Sequence, residues 1–233
     1  MKNFQYTFER TEQKYLITLE QMDKIITAVK EMTRPDEYGK SSILNIYYDT
    51  PDFMLIRASI EKPLYKEKLR LRSYGIPSPT NAVFIELKKK YKGVVFKRRT
   101  SMSYSEAISF LNNNTEPKIQ SQIIDELKNF KDFYKNLYPA MLLSYDRIAL
   151  YSIADQGLRL TFDTNITWRM QDVDLLKGAG GNLLLDEQSV LMEIKAYSTI
   201  PLWLVRILSE LKIYPSSFSK YGKAYSDYII NSN

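Results

Sequence analysis

Five stretches of the chain alternate apolar and charged positions with a period of two, the spacing that turns successive side chains to opposite faces of a β-strand. The clearest is Lys68-Leu69-Arg70-Leu71-Arg72, with Lys68, Arg70 and Arg72 on one face and both leucines on the other. Val83 to Lys88 sets Glu86 and Lys88 against Val83, Ile85 and Leu87, and Leu158 to Asp163 sets Arg159, Thr161 and Asp163 against Leu158, Leu160 and Phe162. Val190 to Lys195 sets Glu193 and Lys195 against Val190, Met192 and Ile194, while near the N-terminus Arg10, Glu12 and Lys14 share a face. If these strands belong to one sheet that closes, their charged faces meet in one interior. Such an interior cannot be a dry core, because each unpaired buried cation is prohibitively costly. It calls for an anion.

The rest of the pattern supplies scaffold. Thr18-Leu19-Glu20-Gln21 is a capping-box sequence, and Ile25, Ile26, Val29 and Met32 follow at helical spacing, which predicts a helix ending near Arg34-Pro35. Ser42 to Asp49 reads as a strand closed by the turn Asp49-Thr50-Pro51-Asp52, and Phe53 to Ser59 as a short helix or irregular segment. A hairpin turning near Gly93 joins the Glu86 strand to Val94–Thr100, where Lys97 and Arg99 share a face and Arg98 takes the other. Ser103-Tyr104-Ser105-Glu106 opens a helix through Leu111, and Ile119 to Tyr138 reads as an amphipathic helix. Met141 to Tyr151 is a strand with Tyr145, Arg147 and Ala149 on one face, hairpinned through Asp155-Gln156-Gly157 to the Arg159 strand. The glycine-rich stretch Leu176–Leu184 lacks the Gly-Lys-Ser/Thr ending of a phosphate loop and reads as a flexible hairpin loop. Pro201 starts a helix through Leu211 whose apolar residues wrap much of its circumference, suggesting a buried plug or partner surface, and Ser217 to Tyr221 opens the last helix.

Composition narrows the chemistry. A chain of 233 residues, 44% hydrophobic, suits one domain spanning 1–233. No apolar run approaches the ~20 residues of a membrane helix and no signal-peptide stretch opens the chain, which makes the cytoplasm the default compartment. There is no cysteine and no histidine. Disulfides, thiol nucleophiles, histidine acid–base catalysis and the usual zinc sites are thereby excluded, leaving oxygen-ligated Mg²⁺ or Mn²⁺ as the plausible metal. The net charge of +6 adds a weak preference for anions.

In series, Glu12-Gln13-Lys14-Tyr15, Tyr47-Tyr48-Asp49-Thr50, Leu69-Arg70-Leu71-Arg72, Ile85-Glu86-Leu87-Lys88, Tyr145-Asp146-Arg147, Leu158-Arg159-Leu160-Thr161-Phe162-Asp163-Thr164, Met192-Glu193-Ile194-Lys195 and Phe218-Ser219-Lys220-Tyr221 resemble the polyphosphate polymerase domain of the vacuolar transporter chaperone family, one of the triphosphate tunnel metalloenzymes. The resemblance implies an α+β fold, a closed antiparallel β-barrel with helices packed outside. It implies that Lys14, Arg70, Arg72, Lys88, Lys97, Arg147, Arg159 and Lys220 hold ATP and the growing chain, and that Glu193 binds the metal. Arg10, Lys68, Arg99 and Lys195 extend the phosphate-binding set. Tunnel hydrolases typically carry two glutamates around the first lysine, and Arg10 stands where the first of these would be.

The chemistry suits that implication. A polyphosphate end is already an oxyanion, so its attack on ATP needs no base, and positioning with electrostatic stabilisation is the whole task. The partners expected are ATP and inorganic polyphosphate, with a separate membrane protein partner compatible with both. A tunnel triphosphatase and a non-catalytic polyphosphate- or nucleic-acid-binding module are the competing readings. RNA is disfavoured because aromatic residues are not interleaved with the basic strand faces.

Overall fold

The computed structural model describes residues 11–232 apart from Lys62, Gly93, Asn114 and Ser198, so the expectations for Arg10 and for a turn at Gly93 lie outside the described residues. In chain order the elements are β1 (Thr11–Thr18), α1 (Leu19–Ala28), β2 (Thr33–Asp49), α2 (Met54–Ile60), β3 (Tyr65–Tyr74), β4 (Ala82–Tyr91), β5 (Val94–Ser103), α3 (Tyr104–Asn113), α4 (Gln122–Tyr134), β6 (Tyr138–Ser152), β7 (Arg159–Arg169), β8 (Asn182–Leu183), β9 (Ser189–Ala196), α5 (Leu202–Glu210) and α6 (Lys220–Ser232). A single sheet is ordered β1-β9-β7-β6-β2-β3-β4-β5, with β8 beside β7. This is the expected α+β class, built on antiparallel ladders. Among the described residues the pairing path has β1 and β5 as its ends.

The chain divides into two compact units, each drawn from separated stretches. One takes the part ending at Ser41, Asp146–Asn165 and Leu185–Phe218. The other takes Ser42–Tyr145, Ile166–Leu184 and the part from Ser219 onward.

In the first unit, the apolar alternation of β1, β7 and β9 buries Tyr15, Ile17, Leu158, Leu160, Phe162, Met192 and Ile194 against α1 and α5. Full burial of each large side chain contributes roughly 1.5–3 kcal/mol. The capping box is formed, Thr18 Oγ1 accepting from the Gln21 amide and Gln21 Oε1 from that of Thr18. The helix stops earlier than the sequence spacing predicts. Val29 caps it, its carbonyl accepts from both the Met32 amide and the Thr33 hydroxyl, and Arg34-Pro35 already belong to β2. Pro35 is tolerated there because it sits at the beginning of the strand. Of the two expectations for α5, a buried plug or a partner surface, the buried plug is not met: Leu204 and Leu208 are buried, but Leu202 is 64% exposed and Val205 is exposed with it.

In the second unit, Leu44, Ile46, Leu69, Leu71, Ile85 and Leu87 form the core face, covered by Phe110 and Leu111 of α3 and by Ile124, Leu127 and Phe130 of α4. α4 is shorter than Ile119–Tyr138 because Ser121 Oγ caps its start, Lys135 breaks its end at φ 38°, and Tyr138 begins β6. The expected box at Ser103 is half formed: its Oγ accepts from the Glu106 amide, but the Glu106 carboxylate takes the Lys118 amide instead. The open alternative for Phe53–Ser59 resolves as α2. The glycine stretch is tied down, since Arg169 donates to the carbonyls of Asp172, Asp174 and Gly180, and β8 pairs with Thr167 and Trp168.

Candidate functional site

The β3–β4 register that brings Leu69 opposite Leu87 and Leu71 opposite Ile85 brings Arg70 opposite Glu86 on the other face. The β4–β5 register adds Arg99 opposite Glu86, and Lys97 opposite Lys88. The result is a charged row whose hub is Glu86, only 2% exposed. Arg70 reaches Glu86 Oε2 through Nε at 2.7 Å and Nη2 at 2.6 Å, with Arg72 Nε at 3.9 Å. Lys97 Nζ stands 2.7 Å and Arg99 Nε 3.1 Å from Oε1. Arg70, Arg72, Lys97 and Arg99 thus share one carboxylate, four positive charges against one negative, an excess of three.

Neutral acceptors orient these cations without cancelling them. Arg70 Nη1 donates to the Tyr47 hydroxyl at 3.2 Å, and Arg72 donates to Asn45 Oδ1 at 2.8 Å and to the Tyr145 hydroxyl at 3.2 Å. Arg99 donates to the Tyr74 hydroxyl and lies 3.8 Å over the Phe84 ring, a favourable cation–π distance.

The electrostatics follow from that crowding. Burial pushes the Glu86 pKa up, but Arg70, Arg72 and Lys97 outweigh it and hold the carboxyl well below its usual range. Burial works against the charge on Arg70, yet Tyr47, Glu86 and Tyr145 leave its pKa raised. Burial, aided by Arg70 and Arg72, outweighs Glu86 at Lys97 and lowers its pKa. The Tyr47 hydroxyl, which burial alone would push up, is lowered by Arg70, Arg72 and Lys220.

Further along the row, Lys68 lies opposite an exposed Lys88 and donates to Ser219 Oγ at 3.2 Å. Lys220 Nζ sits 4.4 Å from the centre of the Tyr145 ring. Arg98, on the opposite face, pairs with Glu126 of α4.

The remaining sequence candidates fall in the first unit. Registers align Glu12, Lys195 and Arg159 in one rank and Lys14, Glu193 and Thr161 in the next. Lys195 Nζ is 2.5 Å from Glu193 and 3.9 Å from Glu12. Lys14 Nζ donates to the Phe218 carbonyl at 2.9 Å. Arg147 is engaged bidentately by the buried Asp163. Arg159 lies over the Tyr151 ring, with Nη2 3.9 Å from Asp36 and a buried Nε that has no hydrogen-bond partner.

Among the described residues no group of three or more Asp, Glu, His or Cys gathers as a metal cage. The carboxylates of Glu12 and Glu193, converging on Lys195, still suit a hard cation that draws most of its oxygens from phosphate and water. Sequence reasoning did not single out Asn45, Tyr47, Tyr74 and Tyr145 as partners of the arginines. The tyrosine pair in Tyr47-Tyr48-Asp49-Thr50 was the available signal, since only one of two adjacent strand residues can face the core.

Among the described residues no helix is long and apolar enough to cross a membrane. The VTC domain family matches residues 9–228. No protein of curated function matches the chain in sequence. Among solved structures, a Bacillus halodurans protein assigned as an adenylate cyclase superposes with a TM-score of 0.58 at 18% identity, over 89% of this chain and 92% of its own. A Hippeastrum protein assigned as an adenylyl cyclase, with a dominant triphosphatase activity, gives 0.54 at 18%, over 93% and 95%. A Vibrio parahaemolyticus protein, also assigned as an adenylate cyclase, gives 0.53 at 13%, over 95% and 99%. At such identities the likeness is one of fold.

Proposed function

Because the chain belongs to the VTC domain family and shares the triphosphate tunnel metalloenzyme fold, we propose that it is a metal-dependent polyphosphate polymerase using ATP. The observation that carries the proposal is the surplus of cations on Glu86. Three uncompensated charges, preoriented by tyrosines and Asn45, make a rigid receptor for a phosphate chain.

In the reaction, a terminal oxyanion of polyphosphate attacks the γ-phosphorus of ATP. The new P–O–P bond forms as the bond from that phosphorus to the β-bridging oxygen breaks, and the electron pair leaves with ADP. Arg70, Arg72, Lys97 and Arg99 offset the repulsion between the two polyanions and stabilise charge on the departing diphosphate. Lys68, Lys88 and Lys220 extend the same service. In the other unit Lys14, Arg147, Arg159 and Lys195 are assigned to phosphate, and Glu193, with Glu12 beside it, would hold Mg²⁺ or Mn²⁺. When bound, that cation screens phosphate oxygens as a Lewis acid. The proposal keeps the domain in the cytoplasm, where ATP is supplied.

The test is incubation with ATP, a phosphate primer and Mn²⁺ or Mg²⁺. Acid-insoluble polyphosphate should accumulate with released ADP matching the phosphate incorporated. ADP matched by free orthophosphate, with no polymer under either metal, would make the chain a triphosphatase instead.

A further inference from the structure

The two arginines at the heart of the row are both linked, through tyrosines, to the first turn of α6. Tyr47 accepts from Arg70, and its ring stacks on that of Tyr221 with centroids 4.5 Å apart and planes 24° apart. Tyr145 accepts from Arg72, and its ring carries the Lys220 ammonium. Lys220 and Tyr221 are consecutive residues, so the two links converge on one point of the backbone.

That point is fixed by an unusual anchor. Asp49 is 0% exposed and accepts four hydrogen bonds: from the amides of Thr50, Leu55 and Ile56 at 2.9, 2.8 and 3.0 Å, and from the Tyr221 hydroxyl at 2.8 Å. Three of these belong to the chain just after it, where Asp49 supplies acceptors for the start of α2, whose own N-cap, Phe53, gives none. The fourth comes from 172 residues away. A carboxylate taken wholly out of water is costly where an apolar residue would pack, and it is tolerated only when every acceptor direction is used. Burial and the adjacent carboxylate push the Tyr221 pKa up, so its hydroxyl keeps the proton it donates, while burial raises the Asp49 pKa against the four bonds that favour its charge.

We infer that Asp49 and Tyr221 form a latch that positions Lys220 against the Arg70–Arg72 pair. The latch residues touch no phosphate themselves; they act through Lys220, and the inference rests on Lys220 being a phosphate ligand as proposed above. Tyr221→Phe keeps the ring stacked on Tyr47 and removes only the bond to Asp49, whose three amide donors remain.

The experiment is a double-variant cycle on inorganic triphosphate binding, measured calorimetrically without metal so that it does not depend on turnover. Tyr221→Phe should weaken binding by roughly five- to tenfold, the scale of one typical net hydrogen bond. In a Lys220→Gln background the same change should cost nothing further, because there is no longer an ammonium to position. Equal losses in both backgrounds, or no loss in either, would overturn the latch. If Tyr221→Phe does not fold, Asp49→Asn carries the same cycle, and failure of both to fold would make the tie purely structural and likewise end the inference. A wild-type protein that binds no triphosphate would instead bring down the functional proposal and the latch with it, whereas binding with an additive cycle removes the latch alone.

Discussion

Arg147 and Asp163 meet through two parallel hydrogen bonds, Nε to Oδ1 at 2.6 Å and Nη2 to Oδ2 at 2.7 Å. The geometry is the strongest an arginine makes with a carboxylate, and Asp163 is 1% exposed. The pairing sets Arg147 apart from the arginines around Glu86, because Arg147 takes both oxygens of its carboxylate with parallel hydrogen bonds.

Removing Arg147 therefore takes two charge-assisted hydrogen bonds from a buried carboxylate. Arg147→Met should cost about 3–5 kcal/mol of unfolding free energy in a denaturant titration, and combining it with Asp163→Leu should restore most of that loss. If Arg147→Met leaves stability unchanged while abolishing triphosphate binding, Arg147 serves the ligand far more than it serves Asp163.

Glu86→Gln makes the opposite imbalance, leaving four cations without their shared anion. We expect a loss of about 3–5 kcal/mol at low salt, with inorganic triphosphate raising the melting temperature of the variant more than that of the wild type, since the ligand replaces the missing charge. The pH dependence carries the same signature. The folded-state pKa of Glu86 is depressed, so its contribution is fully present above the ordinary glutamate value near ~4.3 and is lost as pH falls from there through the folded value. Melting curves between pH 3 and 7 should accordingly show a shallower acid limb for Glu86→Gln. Parallel limbs would mean that the carboxylate's ionisation does not stabilise the fold.

Glu193→Gln should preserve the fold while turnover falls roughly 10²-fold, because the charge of a metal ligand goes at nearly constant volume. Titrating Mn²⁺ should recover part of the rate. Wild-type turnover with unaltered metal dependence would exclude Glu193 as the ligand.

The row was legible in the sequence because period-two alternation is a local property: Arg70 and Glu86 could each be given a face from their neighbours alone, while the unbroken run Lys97-Arg98-Arg99 left Lys97 open to a shift of one or two residues. That Glu86 gathers four cations could not be read the same way, since it depends on register between three strands. Tyr47 and Tyr145 were hidden for another reason. A buried tyrosine on a strand has the sequence signature of a core residue; the Tyr47-Tyr48 pair could show that one ring leaves the core, but the position of the hydroxyl is needed to show that it serves an arginine. Helix ends shifted where capping competed with periodicity, as when the apolar spacing through Met32 ran past the close of α1 at Val29.

A chain without histidine or cysteine has a consequence for what its cationic row can sense. With Glu86 held ionised and Arg70 held protonated, the row behaves as a fixed-charge ion exchanger across neutral pH, and the lowered pKa values of Lys97 and of the Tyr47 and Tyr74 hydroxyls bring an alkaline limb within reach. Acidity is then a poor control knob. Screening is a good one: at physiological salt the Debye length is about 8 Å, longer than the contacts within the cluster but comparable to the approach distance of an incoming polyanion. Under the proposed function, small anions in the surrounding medium would therefore compete with the incoming polyanion for this row, and orthophosphate is the simplest of them.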